Sequence, residues 1–191
     1  GNFTTLTSAV AAYNSTCSLS GPVIFELTDN LYNSPKETFP ININEHVDAS
    51  ALKTLTIRPS ATATPVITGA SASQIINLNG AKFIVFNGRR GGFGLPKKLT
   101  LTNTGTGITL LYSNDAQFDT IRNCVIRGMN PSTNSGTIVF GAANASGTGN
   151  DNNTISTCDI GPEGAALPFC AIYSAGASST VVNNDNTITG C

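Results

Sequence analysis

One phrase occurs three times in this chain and constrains its fold more than any other feature. It reads Thr120-Ile121-Arg122-Asn123-Cys124, then Thr154-Ile155-Ser156-Thr157-Cys158, then Thr187-Ile188-Thr189-Gly190-Cys191, with the cysteines 34 and then 33 residues apart. In the first two copies an isoleucine follows two places on (Ile126, Ile160), and then a glycine (Gly128, Gly161). A fixed period of this size marks stacked repeats. The copies are rich in Thr, Ile, Val and Asn and are bounded by Gly and Asn, which favours short strands and tight turns over helical repeats. Strand-and-turn units stacked on their own copies make an all-β, parallel β-helix.

Successive rungs of such a helix lie roughly 4.8 Å apart, so each side chain meets its own copy above and below. Ile121, Ile155 and Ile188 are expected to stack as an inward column. Cys124, Cys158 and Cys191 form a second column at the turn after the strand. Many β-helices carry an asparagine ladder at that turn, and here a small, apolar, easily buried thiol takes its place. Five cysteines is an odd number and argues against a closed disulfide framework. Ladder neighbours would be close enough in Cα distance to pair, but their Cβ vectors would run parallel. Cys17 and Cys170 fall outside the ladder, as loop or cap residues.

Charge narrows the class of partner. Charged residues make up 11% of the 191 and the net charge is −1, so no field exists to attract nucleic acid or an anionic membrane. No stretch approaches the roughly 18 apolar residues of a membrane span, and no signal peptide is visible. Abundant Gly, Thr, Ser and Asn are usual for extracellular β-proteins.

Along the chain, Leu6, Val10 and Tyr13 fall on one face of a short helix with Thr5 or Thr4 as N-cap. Such a helix would cap the open end of a solenoid. Val23 to Leu27 reads as the first strand, Leu31 to Glu37 as a loop, and Phe39 to Asn44 as a half-buried strand. Two triangular coils follow, each of three strands (Leu55 to Pro59, Pro65 to Gly69, Ile75 to Gly80; then Phe83 to Gly88, Leu99 to Asn103, Ile108 to Leu111). The fourth rung holds the first copy of the phrase and Thr137 to Phe140. A small polar loop, Ala142 to Asn150, leads to the fifth, which ends in Ala171 to Tyr173. The expected organisation is a capping helix and entry turn over 1–20 and a β-helix of about five to six rungs over 21–191, continuing beyond residue 191 in a larger protein.

The opening, Gly1-Asn2-Phe3-Thr4-Thr5-Leu6 with Ala9-Val10 and then Gly21-Pro22-Val23-Ile24-Phe25, resembles the start of pectin-esterase-like right-handed β-helices. The wider pattern resembles β-helix modules of large secreted surface proteins of Bacteroidota, through Leu55 to Pro59, Ile67 to Gly69, Leu78 to Gly80, Leu99 to Asn103 and Asn153 to Ile160. The resemblance covers nearly the whole chain and is specific for fold. It implies a right-handed parallel β-helix, export (by the type IX route) and a place outside the cell or on its surface. The expected partners are the rest of a larger surface protein, the secretion machinery or like subunits, and, for the alternative function below, an extracellular glycan.

Enzymes of this fold need particular constellations on an outer sheet face. Gly136 to Gly141 echoes an esterase stretch, but Val139 stands where the nucleophilic aspartate would be, and an aliphatic side chain cannot attack an ester. No Asp-Asp pair of the polygalacturonase kind occurs. A lyase needs a Ca²⁺ cage of carboxylates and a base. Asp115, Asp119, Asp151, Asp159 and Asp185 are the candidates, and the expectation for them is turn or solvated roles. No catalytic residue, metal ligand or cofactor is therefore assigned; Ca²⁺ has no clear ligand cluster. His46 reads as a surface-loop residue without a second ligand at metal spacing. The candidate binding surface is the loop from Arg89 to Lys98, through Arg89, Arg90, Phe93, Lys97 and Lys98; its charge suits docking of an acidic glycan or a partner, and equally the plainer role, favoured here, of keeping a protruding loop soluble. Formal glycosylation acceptors at Asn2, Asn14, Asn144 and Asn152 follow from the Asn/Thr-rich composition. An ice-binding array would need regular outward threonines, and the positions beside the phrase mix Arg, Ser, Thr and Asn. The expected function is a non-enzymatic structural or adhesive module; the alternative is a carbohydrate-active module that binds or cleaves an extracellular polysaccharide.

Overall fold

Three short strands, each ending in a turn residue, close one coil after another. The computed structural model describes residues 2–142 and 147–191, so the acceptor at Asn144 and part of the Ala142 to Asn150 loop lie outside the described residues. In chain order the first coil is β1 (Val23–Leu27), β2 (Leu31–Asn33) and β3 (Ile41–Asn44), and the second is β4 (Leu55–Pro59), β5 (Val66–Gly69) and β6 (Gln74–Asn79). The third is β7 (Ile84–Asn87), β8 (Leu99–Asn103) and β9 (Ile108–Ser113), and the fourth β10 (Thr120–Arg122), β11 (Cys124–Gly128) and β12 (Ile138–Phe140). The fifth is β13 (Thr154–Ser156), β14 (Asp159–Pro162) and β15 (Ile172–Ser174), followed by β16 (Thr187–Thr189). Every third strand pairs in parallel, giving a six-stranded sheet β1-β4-β7-β10-β13-β16 and two five-stranded sheets. The chain is a parallel β-solenoid of about five turns with one short N-terminal helix.

Leu31 to Glu37, read from sequence as a loop, contains β2. Leu31, Tyr32 and Asn33 pair with Val66, Ile67 and Thr68. Three residues are too few to display a period, and only the strand below them reveals the pairing.

The inward column forms as the repeat requires. Ile121 pairs with Ile155, and Ile155 with Ile188. The same column runs back through Phe86, Ile57 and Phe25. Ile121 and Ile155 are fully buried, whereas Ile188, on the last strand of its sheet, is 49% exposed. On another wall of the core Tyr112 stacks on Phe140 with centroids 4.4 Å apart.

A single left-handed residue makes the corner after β10 and its copies. Asn123, Thr157 and Gly190 have φ of 53°, 53° and 64°. The cysteine next in sequence turns its thiol back to the carbonyl two residues earlier: Cys124 to Arg122 at 3.3 Å, Cys158 to Ser156 and Cys191 to Thr189, each at 3.5 Å. Cys124 and Cys158 are buried, and Cys17 and Cys191 are exposed; all five cysteines are free thiols. Burial pushes the Cys124 thiol well above its ordinary range.

An amide ladder is present as well, at the other end of the strand. Asn186 Oδ1 accepts from Asn153 N at 2.9 Å, Asn153 Oδ1 from Asp119 N at 2.9 Å, and Asp119 Oδ1 from Ile84 N at 2.8 Å. The amide nitrogens of Asn153 and Asn186 donate to Ala116 O and Asn150 O. The cysteines therefore add a column rather than replacing the ladder. Asp119, expected in a turn or in solvent, is fully buried in it. Its second oxygen, Oδ2, has no acceptor or donor near it. Burial lifts its carboxyl well above the usual carboxylate range, against the opposing pull of the Ile84 N–H. Burial thus favours its neutral form, at a position that the later copies give to asparagine.

The cap is α1 (Leu6–Ser15), with Thr5 as N-cap accepting from Ser8 N and with Leu6, Ala9, Val10 and Tyr13 buried. Glu37 closes its N-terminus: the carboxylate accepts from Leu6 N at 2.8 Å and Thr7 N at 2.7 Å and also from the Thr7 hydroxyl. An anion at this position satisfies orphan donors and the helix dipole together. His46, expected on the surface, is buried against Tyr13. Its Nδ1 accepts from Asp48 N at 3.1 Å, which leaves Nε2–H to donate to Thr16 O at 2.9 Å. The ring ties the end of α1 to the corner after β3.

Candidate binding surface

The loop between β7 and β8 leaves the solenoid at a forced glycine. A Cβ on Gly88 would lie 1.8 Å from Asn123 O of the next rung, so only glycine allows the two chains to approach there. Gly88 O then accepts from Lys98 N at 2.7 Å, which pinches the neck of the loop shut. Asn87 braces it further, accepting from Arg89 N at 3.2 Å. Gly91, Gly92 and Gly94 turn the chain in left-handed conformations.

The residues predicted as a basic binding cluster divide into different roles. Arg90 is an anchor, its Nε donating to Ala63 O at 2.8 Å on the rung above. Arg89 is half-buried at the neck with its Nε enclosed. Lys97 lies near the Arg127–Asp159 pair, whose 2.7 Å contact, with Lys97 adding, holds the Asp159 carboxyl below its usual range. Lys98 is half-buried beside the strand. Phe93 projects, 82% exposed, and so does Leu95, 84% exposed. Sequence reading missed Leu95, whose only signal was its place between Gly94 and Pro96. The result is an apolar tip on a basic collar that is anchored to the rungs at its neck.

The acids considered for catalysis are dispersed. Asp119 is in the interior, and Asp115 and Asp151 cap turns by accepting from Gly149 N and Asn184 N. Arg127 pairs with Asp159. Glu26 holds Arg58, Glu45 holds Lys82, and Glu163 accepts from the Thr102 hydroxyl. Among the described residues, no group of three or more His, Cys, Asp and Glu is placed to hold a metal ion. Val139 is buried on β12.

The outer face of the six-stranded sheet carries two columns. One runs Ile24, Thr56, Val85, Thr120, Thr154, Thr187, and the other Glu26, Arg58, Asn87, Arg122, Ser156, Thr189. The first is β-branched throughout, but the second mixes charge and size. Only half the face is regular.

No protein-family model matches the chain, no curated protein matches it, and no solved structure matches it.

Proposed function

We propose that this β-helix is a non-enzymatic structural and adhesive module of a secreted or bacterial cell-surface protein, and that the loop from Arg89 to Lys98 makes its adhesive contact. The observation that carries the reading is the loop itself. Phe93 and Leu95 stand in solvent on a neck closed by Gly88 and Lys98 and anchored by Arg90. Fixing an apolar tip in advance removes ordering cost from binding. An acidic extracellular polysaccharide suits it, with carboxylate or sulfate groups near the basic collar and the C–H faces of its sugars against Phe93. The non-catalytic part is supported by where four of the acids considered for catalysis go: Asp119 is buried in the ladder, Asp115 and Asp151 cap turns, and Asp159 pairs with Arg127, whereas glycoside hydrolysis needs two carboxyls facing each other across about 5–10 Å. A module exported by a Bacteroidota-like bacterium and joined to a larger surface protein accords with the motif resemblance.

The test is an array of extracellular polysaccharides probed with and without Ca²⁺, alongside an assay of chain cleavage on each bound polysaccharide. The expected result is binding to acidic polysaccharides without turnover, reduced at least tenfold by the double substitution Phe93→Ser, Leu95→Ser. Turnover of any bound polysaccharide would replace this reading with the carbohydrate-active one. Binding indifferent to the double substitution would remove the loop from it.

A further inference from the structure

The first sheet ends in an edge that the cap leaves open. α1 leans over the third sheet, where Asn14 donates to Asn42 O at 2.8 Å and accepts from Asn44 N at 3.1 Å, so that one asparagine side chain occupies the free edge of β3. Among the described residues, no side chain bonds in the same way to the free edge of β1, the terminal strand of the six-stranded sheet. Beside it runs a groove of about 640 Å³. One wall is the arm Asn2 to Leu6, and the other is formed by every residue from Ile24 to Asp29. Side chains of a strand point alternately to opposite faces. A groove lined by six consecutive residues therefore follows the edge of the strand, where its backbone is presented.

Which backbone groups face it follows from the pairing. Val23 N donates to Thr54 O, and Leu27 O accepts from Ser60 N, so the odd-numbered residues bond toward β4. By strand alternation Ile24 and Glu26 turn their N–H and C=O groups into the groove. Phe25, top of the inward column, is half-buried there with Phe3 edge-on at 6.4 Å, and Ile24 is 49% exposed. Among the described residues that line the groove, Glu26 and Asp29 face one cation, Arg58, which Glu26 already holds at 2.7 Å.

We propose that the edge of β1 and the Asn2 to Leu6 arm form a strand-addition site for an extended, basic peptide segment of a partner protein. Such recognition takes affinity from main-chain hydrogen bonds and specificity from alternate side chains. Here Ile24 and Glu26 supply two donors and two acceptors. Alternate apolar side chains of the peptide fit against Phe3 and Phe25, and a lysine or arginine near Asp29 neutralises the excess acid. The groove adjoins the Arg89 to Lys98 loop, whose Gly92 lies against Arg58, but the proposal does not rest on the adhesive reading, and its failure would leave that reading standing.

The experiment screens a combinatorial library of acetylated hexapeptides against the whole chain and against Ile24→Pro. Proline there deletes a groove-facing N–H but no bond to β4, and edge strands tolerate it. The expected outcome is enrichment of alternating apolar sequences carrying Lys or Arg, at least tenfold weaker on Ile24→Pro. The best peptide, N-methylated at alternate residues, loses at least tenfold on the unaltered protein, a control that does not depend on the variant folding. Asp29→Lys lowers the preference for basic peptides. Absence of enrichment, or equal binding by the N-methylated peptide, overturns the proposal. So does a titration in which oligosaccharides or self-association, and not the peptide, shift the amide signals of Ile24 and Glu26.

Discussion

Asp119 occupies a position that its own copies assign to asparagine. Asn153 and Asn186 bond through both ends of their amides, whereas a carboxylate at Asp119 could use only its accepting end, at Ile84 N. Burial, with no partner for Oδ2, disfavours the ionised form. Its pKa is raised on folding, so the folded state binds the proton more tightly. Its contribution to stability is complete below the unfolded value of about 3.9 and is lost as pH rises toward the folded value. Asp119→Asn has no such loss. In urea titrations the variant should match the original chain near pH 3.5 and exceed it above pH 5, the gap widening by about 1.4 kcal/mol per pH unit until the folded pKa is reached. Equal stability at all pH values would mean the acid is ionised and solvated. The same carboxyl lies in charge range of Tyr13, whose hydroxyl pKa is pushed up to about 12, chiefly by its own burial.

At the scale of elements, the cap is held by residues far from it in sequence. Glu37 reaches the first turn of α1, and His46 the residue after its end. Removing Glu37 leaves two backbone donors and a hydroxyl without their charged acceptor. Glu37→Ala is therefore expected to cost about 1–3 kcal/mol, read as a lower urea midpoint, with Glu37→Gln milder because one of its two positions still accepts. An unchanged midpoint would place the helix outside the cooperative unit. The contrast between β2 and β4 belongs here too. Leu55 to Pro59 alternates clearly enough to be read from sequence; Leu31 to Asn33 is strand only because Val66 to Thr68 lies beneath it.

Across the whole molecule the rungs are not equivalent. In the second to fourth coils the inward residues, such as Ile57, Leu78, Phe86, Leu101 and Ile126, are fully buried; in the fifth, Ile160 and Ile172 are only half-buried. A solenoid's stability is a sum of unit and nearest-neighbour terms, so opening should begin where those terms are weakest. Amide hydrogen exchange should be slowest in β4 to β12 and faster in β14 to β16. Uniform protection would mean that the coils open as a single unit.

What the sequence determined by itself was everything periodic. The 34- and 33-residue spacing specified parallel rungs, the Ile121–Ile155–Ile188 register and the thiol column, because each unit repeats the same local choices and stacking only superposes them. The projecting loop was legible too, from its glycines and its charge. The tertiary structure alone decided the fate of isolated polar groups and edges. Glu37, His46 and Asp119 have partners about a rung away in sequence, outside the repeated phrase, and a polar side chain reads the same whether it meets water or a buried N–H. The open edge of β1 likewise depends on which way α1 leans, a choice made by Asn14 on β3 and visible in no local pattern.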